Sequence, residues 1–351
     1  MLHTLTQDLT AGRSLGDEQI ADAVAALLNE EVSAPVKAAF LTALAGKGET
    51  AAEITGFARE LRGRALQPPL DPQTRARQIL DVCGTGGDKL NTFNISTTVA
   101  LVAAAAGVTV AKHGNRAITS HAGSADVLEA LGIRVDLPPE AAAHSLRDHG
   151  FAFFFAQMYH PAFKHMGPAR RLCAEKGQRT IFNFLGPLLN PVHPTAQLIG
   201  VPDPKLCEPM ALALQGLGCR RGMVVSGKVE IESGASGWLD ELSILGENHV
   251  AEFYHEHGFH RSVMELDHFP LQPAKLADLT GGSATDNAKI VRLILEGREK
   301  GPKRDAVLLN GAAALFVAGR SDDLIAGWSL AKETIDSGKA AAKLNALVAA
   351  A

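Results

Sequence analysis

The sequence predicts an α/β chain: a small all-helical domain, then a larger α/β domain with a mainly parallel central sheet. Three observations carry this. The first seventy residues show only helical patterns, a Pro-rich break follows, and beyond it short apolar runs alternate with helical ones. The 351 residues exceed what one compact core usually organises, so two domains are expected. Hydrophobic residues at 46% and charged residues at 21% give an ordinary globular balance.

The elements follow in order. Asp17 is placed to cap a helix whose apolar positions Ile20, Val24, Leu27 and Leu28 recur at helical spacing. Ser33-Ala34-Pro35 opens the next helix, with proline at a permitted early position. Thr50 opens a third, through Ile54 and Phe57 to Leu61. Gln67-Pro68-Pro69-Leu70-Asp71-Pro72 cannot continue a helix and reads as a linker. Residues 78–82 then form a short apolar strand ended by a Gly-rich turn. A long Ala/Val helix, a strand at 108–111 and a loop at 112–123 follow. Residues 126–131 read as helix and 134–137 as strand. Further apolar runs lie at 152–155 and 223–225, and late helices at 287–296 and 304–318. Residues 161–179 are helical and basic, and they are placed to pack back on the N-terminal helices. The expected division is 1–72 with 161–185 against 73–160 with 186–351. There is no internal repeat and no low-complexity segment.

Composition narrows the function classes. The net charge is −4 with no basic run, so a nucleic-acid partner is not expected. Cys83, Cys173, Cys207 and Cys219 form no CxxC pair, which fits a reducing cytoplasm. The N-terminus lacks a signal-peptide pattern, and the apolar stretch 98–111 is too short for a membrane span.

Asp81-Val82-Cys83-Gly84-Thr85-Gly86-Gly87-Asp88 sits where a strand meets a helix, the edge at which open α/β sheets bind ligands. Glycines there let backbone N–H groups approach a phosphate. Asn94-Ile95-Ser96-Thr97 begins the next helix, whose N-terminal dipole end suits the same anion. Lys89 stands where a dinucleotide fingerprint would end in glycine, and no P-loop lysine is present. Alone, such a loop is as readily an ordinary tight turn with an N-cap. Lys112-His113-Gly114-Asn115-Arg116 falls on the same sheet edge, and both cations there can neutralise phosphate charge. Gly123-Ser124-Ala125-Asp126 is a second glycine-then-helix start, so the ligand is expected to carry two phosphate groups. Asp240-Glu241 offers hard oxygen ligands for Mg²⁺; alone it reads better as a solvated acid pair, and the phosphate loops elsewhere favour the metal. Tyr159-His160-Pro161 and Arg170-Arg171 offer aromatic and cationic groups that can grip a carboxylate. His255, His257 and His260 have metal-like spacing but read better as exposed strand and turn residues, having no carboxylate or Cys partner at ligand spacing.

As a set these motifs resemble the anthranilate phosphoribosyltransferases. So do Tyr159-His160-Pro161-Ala162, Arg179-Thr180-Ile181-Phe182-Asn183, Leu185-Gly186-Pro187-Leu188-Leu189-Asn190-Pro191, Leu239-Asp240-Glu241-Leu242-Ser243, Gly281-Gly282, Asn287-Ala288, Leu309-Asn310 and Asp336-Ser337-Gly338-Lys339-Ala340. The resemblance spans nearly the whole chain. It implies a fold of the nucleoside phosphorylase/phosphoribosyltransferase type, a homodimer through the helical domains, and attack of anthranilate on phosphoribosyl pyrophosphate (PRPP) in tryptophan biosynthesis. By the family pattern, Gly84, Gly87, Asp88, Thr92, Asn94, Ser96, Thr97, Lys112 and Ser124 hold PRPP. Ser96, Asp240 and Glu241 bind Mg²⁺, and Gly84, Asn115 and Arg170 hold anthranilate. No side chain is expected to act as an essential general base, because positioning and charge stabilisation suffice for a weakly basic amine. Gln157 stands where the family commonly has Pro, Ser226 replaces a frequent His, and segments 171–179 and 226–237 are longer than usual. The first of these longer segments leaves the choice between Arg170 and Arg171 open. Two other readings are a pyrimidine nucleoside phosphorylase, which shares the architecture, and a non-catalytic nucleic-acid-binding paralogue. The acid pair argues against both, as do Asn115 for the first and the acidic balance for the second.

Overall fold

Four helices open the chain: α1 (Leu2–Thr10), α2 (Asp17–Leu28), α3 (Ala34–Lys47) and α4 (Ala51–Gly63). The structure is a computed structural model that describes residues 1–117, 121–231, 236–255 and 258–351. The local chemistry of α4 is explicit. Thr50 Oγ1 accepts the Glu53 N–H at 3.2 Å while Glu53 Oε2 accepts the Thr50 N–H at 2.9 Å, so two otherwise orphaned donors are satisfied. Ser33 caps α3 with Pro35 in the first turn. The α2 cap is Gly16 rather than Asp17. Asp17 instead occupies the first turn, where its charge complements the helix dipole. The linker ends at α5 (Pro72–Ala76), where Asp71 Oδ1 accepts the N–H groups of Gln73 and Thr74, each at 3.0 Å.

The α/β part runs β1 (Ile79–Gly84), α6 (Ile95–Ala105), β2 (Thr109–Gly114), α7 (Ser124–Leu131), α8 (Pro139–His149), β3 (Phe151–Phe155), α9 (Ala156–Tyr159) and α10 (Gly167–Glu175). It continues with β4 (Ala196–Gly200), α11 (Cys207–Gly216), β5 (Arg221–Glu230), β6 (Ser236–Leu239), β7 (Asn248–Tyr254) and β8 (Gly258–Met264). It closes with α12 (Ala284–Leu295), α13 (Pro302–Val317), α14 (Leu324–Asp336) and α15 (Lys339–Ala349). The sheet order is β3-β2-β1-β4-β5-β7-β8, with β6 also paired to β5. β3, β2, β1, β4 and β5 are parallel, while β6, β7 and β8 pair antiparallel. The carboxyl ends of the parallel strands therefore share one edge.

The strand expected at 134–137 does not form. Val135 is buried in the core, but the partner of the Leu137 carbonyl is the Tyr159 hydroxyl at 3.1 Å, and the edge of β2 is taken by β3. Apolar burial without ladder hydrogen bonds leaves a connection rather than a strand. One core packs α6, α7 and α12–α15 on one face of the sheet. A second joins the N-terminal helices, α11 and residues Met166, Cys173, Ile181 and Leu185 to the opposite face, and a third gathers Ile79, Ala111, Ala142, Leu146, Ala152, Phe154, Tyr159 and Val192. α10 lies on α3, and the Lys37 ammonium donates to the His165 carbonyl at 3.1 Å. Among the described residues, no helix is long and apolar enough to cross a membrane.

Candidate active site

Gly84 and Gly200 are paired neighbours at the carboxyl ends of β1 and β4. The chain segment carrying Asp240 crosses directly over them. A Cβ on Gly84 would lie 2.2 Å from Asp240 Oδ2, and one on Gly200 would lie 1.6 Å from the Asp240 carbonyl oxygen. Only glycine admits that approach. Asp240 Oδ2 then accepts the Gly86 N–H at 2.6 Å, across 154 residues of sequence. Gly86 and Gly87 have φ of +76° and +87°, a left-handed backbone of the kind that builds anion-binding concavities.

α6 begins within the same corner. Ser96 and Thr97 lie in its first turn and are buried, and the Ser96 N–H and Oγ–H both donate to Glu241 Oε1, the N–H at 3.0 Å. Thr92 pairs with Thr280, and Asp88 Oδ1 accepts the Leu90 N–H at 3.1 Å. Asn94, expected on the ligand, is bonded within the protein at both side-chain atoms. Its Nδ2 donates to the Ala122 carbonyl at 3.1 Å, and its Oδ1 accepts from Asn287 Nδ2 at 2.8 Å. Nothing in the sequence assigns Asn287 a role, because a neutral amide in a helix carries no charge or spacing signal. Only its place in the Asn287-Ala288 run marked it.

Lys112 is buried, with its ammonium donating to the Val82 carbonyl at 2.6 Å and favouring ionised Glu241 nearby. Arg116 does not share the anion role expected of it. Its guanidinium is held by Asp126 Oδ1 at 3.1 Å and by both oxygens of Glu129, at 2.5 and 2.7 Å, which neutralises it. Asp126 also accepts the N–H groups of Ala117 and Gly123, each at 2.9 Å, and so closes the second loop. Ser124 Oγ bonds the Asn115 carbonyl at 3.3 Å.

Asp88, Asp240 and Glu241 make an acidic corner. Burial, then the charges of Asp88 and Glu241, hold the Asp240 carboxyl well above the usual carboxylate range. Burial pushes Glu241 up to about 7 and raises Asp88 as well. Carboxylates crowded in this way repel one another, and a divalent cation relieves that repulsion. Their hard oxygens and the Ser96 hydroxyl fit Mg²⁺. Among the described residues, no three His, Cys, Asp or Glu side chains form a finished cage. An incomplete protein shell is the usual condition for Mg²⁺, which completes it with water and substrate phosphate oxygens. His255 and His260 are exposed on the β7–β8 hairpin, and His257 lies outside the described residues.

A second wall rises beside Asn115. Asn115 Oδ1 accepts the Arg116 N–H at 2.8 Å and Gln157 Nε2 at 3.3 Å, which fixes the face of its amide. Rings then lead away from β2: His113 to His160 at 5.4 Å, His160 to Phe163 at 4.9 Å, and Phe163 to Phe182 at 6.0 Å. The Arg170 guanidinium lies 5.8 Å over Phe182, half-buried, whereas Arg171 is exposed. Among the described residues no carboxylate pairs with Arg170, whose charged form burial disfavours. Tyr159 and His160 are structural, bonded to the carbonyls of Leu137 and Leu189 at 3.1 and 2.9 Å. Ser226 lies buried on β5.

Known proteins resemble this chain over nearly its full length. Residues 76–341 match the model described as glycosyl transferase family, a/b domain, and residues 3–65 match its helical bundle domain. The anthranilate phosphoribosyltransferase of Moorella thermoacetica is 48% identical over 99% of this chain and 98% of its own. The crystal structure of the Thermus thermophilus enzyme of that name superposes with a TM-score of 0.87 at 42% identity, covering 99% of this chain and 98% of that one. The Saccharomyces cerevisiae enzyme in complex with PRPP and Mg gives 0.85 at 26% identity, covering 99% and 97%. With both domains matched in order and near-complete coverage by a relative so similar, the chain belongs to the anthranilate phosphoribosyltransferase family.

Proposed function

We propose that this chain transfers the 5-phosphoribosyl group of PRPP to the amine of anthranilate, giving N-(5-phosphoribosyl)anthranilate and pyrophosphate in tryptophan biosynthesis. The observation that carries the reading is the convergence of Asp240 on the Gly84–Gly86 backbone and of Glu241 on Ser96. Carboxylates set against an anion-binding loop make chemical sense when a cation joins them to a phosphate.

In this reading Gly84, Gly87, Asp88, Thr92, Asn94, Ser96, Thr97, Lys112 and Ser124 hold PRPP, and Asn94 also joins the two loops of the site. Ser96, Asp240 and Glu241 hold Mg²⁺, which when bound supplies charge neutralisation for the leaving pyrophosphate. Gly84, Asn115 and Arg170 hold anthranilate, with the Arg170 guanidinium on its carboxylate. The amine nitrogen attacks C1 of the ribose. The C1–O bond breaks with its electron pair on pyrophosphate, and the surplus amine proton passes to water. No essential general base is assigned. Burial depresses the imidazoles of His113 and His160, to about 3 and about 4, which makes them poor proton acceptors. The test is loss of anthranilate fluorescence on mixing the protein with PRPP, Mg²⁺ and anthranilate. No turnover, beside a working control enzyme, would sink the reading.

A homodimer through the helical domain is proposed on an apolar groove lined by Met1, Leu2, Ala25, Ala26, Val32 and Val36, where Met1 is 63% and Val36 42% exposed. Light scattering at the mass of a single 37.0 kDa chain would remove it. The four unpaired thiols suit a reducing compartment, so a cytoplasmic location is proposed, to be checked by cell fractionation.

A further inference from the structure

Asn287 lies early in α12 and is 2% exposed. It stands 193 residues from Asn94 in the chain, yet the two amides meet in a directional series. The Gly282 N–H donates to Asn287 Oδ1 at 2.7 Å, Asn287 Nδ2 to Asn94 Oδ1 at 2.8 Å, and Asn94 Nδ2 to the Ala122 carbonyl at 3.1 Å. The series ends one residue before Gly123-Ser124, so it joins the start of α6 to the second anion loop. We propose that Asn287 is a positioning residue of the phosphate centre: it sets the Asn94 amide, and through it the spacing of the two loops that hold PRPP.

Four further features support this. The Ser283 cap fixes the start of α12: Ser283 Oγ donates to Asp286 Oδ2 at 2.6 Å and accepts the Asp286 N–H at 3.2 Å. The segment before α12 runs along the end of the first loop, with the Phe93 N–H on the Leu279 carbonyl at 3.0 Å and the Gly281 N–H on the Asn91 carbonyl at 2.9 Å. A Cβ on Gly281 would stand 2.6 Å from Asn287 Oδ1 and 2.8 Å from Phe93 Cα, so glycine permits the contact. Lys89 and Asn91, both non-glycine, hold φ of 60° and 54° just ahead of this clamp. Such residues persist only where the surroundings over-determine them. A buried amide that merely filled the core would need its own bonds satisfied, but it would have no reason to end on Asn94, whose other bond crosses to the second loop.

The inference rests on the PRPP reading above. Asn287→Asp is nearly isosteric. It keeps the acceptor for Gly282, removes the donor to Asn94, and sets oxygen against oxygen. Calorimetry of the full chain with PRPP and Mg²⁺ should show affinity weakened about tenfold, the scale of one buried hydrogen bond. The KM for anthranilate should stay within about twofold, while the buried carboxylate lowers the melting temperature of a chain that still folds. Asn94→Ala combined with Asn287→Ala should bind PRPP no worse than Asn94→Ala alone, because the two act in series.

A folded Asn287→Asp protein with unchanged PRPP affinity overturns the inference. So do equal rises in both KM values, or additive losses in the double variant. If every Asn287 variant fails to fold while Asn94→Ala folds and binds PRPP normally, the pair serves the core alone and the inference falls. A parent protein that binds no PRPP removes the functional reading as well. A parent that binds PRPP but is indifferent to Asn287→Asp removes this inference only.

Discussion

The two walls of the site are built on different principles. On the phosphate side, backbone N–H groups, two glycines and long-range side-chain bonds hold the carboxylates. Asp240 touches Gly86 across 154 residues and Glu241 touches Ser96 across 145. On the acceptor side, single side chains stand alone. Arg170 leans on a ring 5.8 Å away, and Asn115 is steadied by an exposed 3.3 Å bond from Gln157. A wall made of backbone and sheet edge is preorganised and fails as a unit. A wall of independent side chains, partly borne by the 161–185 segment, can be altered one contact at a time.

That contrast is open to attack in order of expected effect. Asp240→Asn and Glu241→Gln should each lower kcat/KM about a thousandfold, the several kcal/mol at stake when a leaving group loses its cation site. Gly200→Ala should approach the same loss without touching a charge, because its Cβ would meet the Asp240 carbonyl at 1.6 Å. Steady-state kinetics over a Mg²⁺ titration checks all three, and a fully active Gly200→Ala protein would mean that the close approach is dispensable. Next, Arg170→Ala should raise the KM for anthranilate about tenfold, the worth of one charged hydrogen bond, and leave that for PRPP unchanged. Arg171→Ala should change neither, since its side chain is exposed. If the KM for PRPP moves instead, the acceptor wall is wrongly drawn. Smallest, Gln157→Leu should raise the KM for anthranilate about two- to threefold, because an exposed neutral bond contributes little. A tenfold effect there would show that the acceptor wall is as cooperative as the phosphate wall.

Much of the fold was legible because its signals are local. Thr50 at the start of α4, Ser33 with Pro35 at the start of α3, and the glycines that end β1 each act within a few residues, and each stands where the pattern put it. Asp17 missed by one position because Gly16 can take the extended cap conformation itself. Residues 134–137 had a strand-like composition, but a strand also needs a ladder partner; Val135 is buried without one among the described residues, and the Leu137 carbonyl is taken by the Tyr159 hydroxyl. Arg116 looked like a phosphate ligand beside Lys112, yet Asp126 and Glu129 hold it. Charge alone could not tell these two cations apart, since what separates them is the burial of one and the carboxylate partners of the other.

By itself the sequence determined the helical start, the strand-to-helix junctions that bear the anion loops, and the chemical types gathered there. Periodicity, caps and turn residues operate over a few positions, so those features survive without knowledge of the rest of the chain. Only the tertiary structure decided that Gly200 makes room for Asp240, that Arg170 rather than Arg171 turns inward, and that Asn287 reaches Asn94. These depend on groups brought together from different elements, in the last case across 193 residues of sequence, and no local pattern encodes such distances.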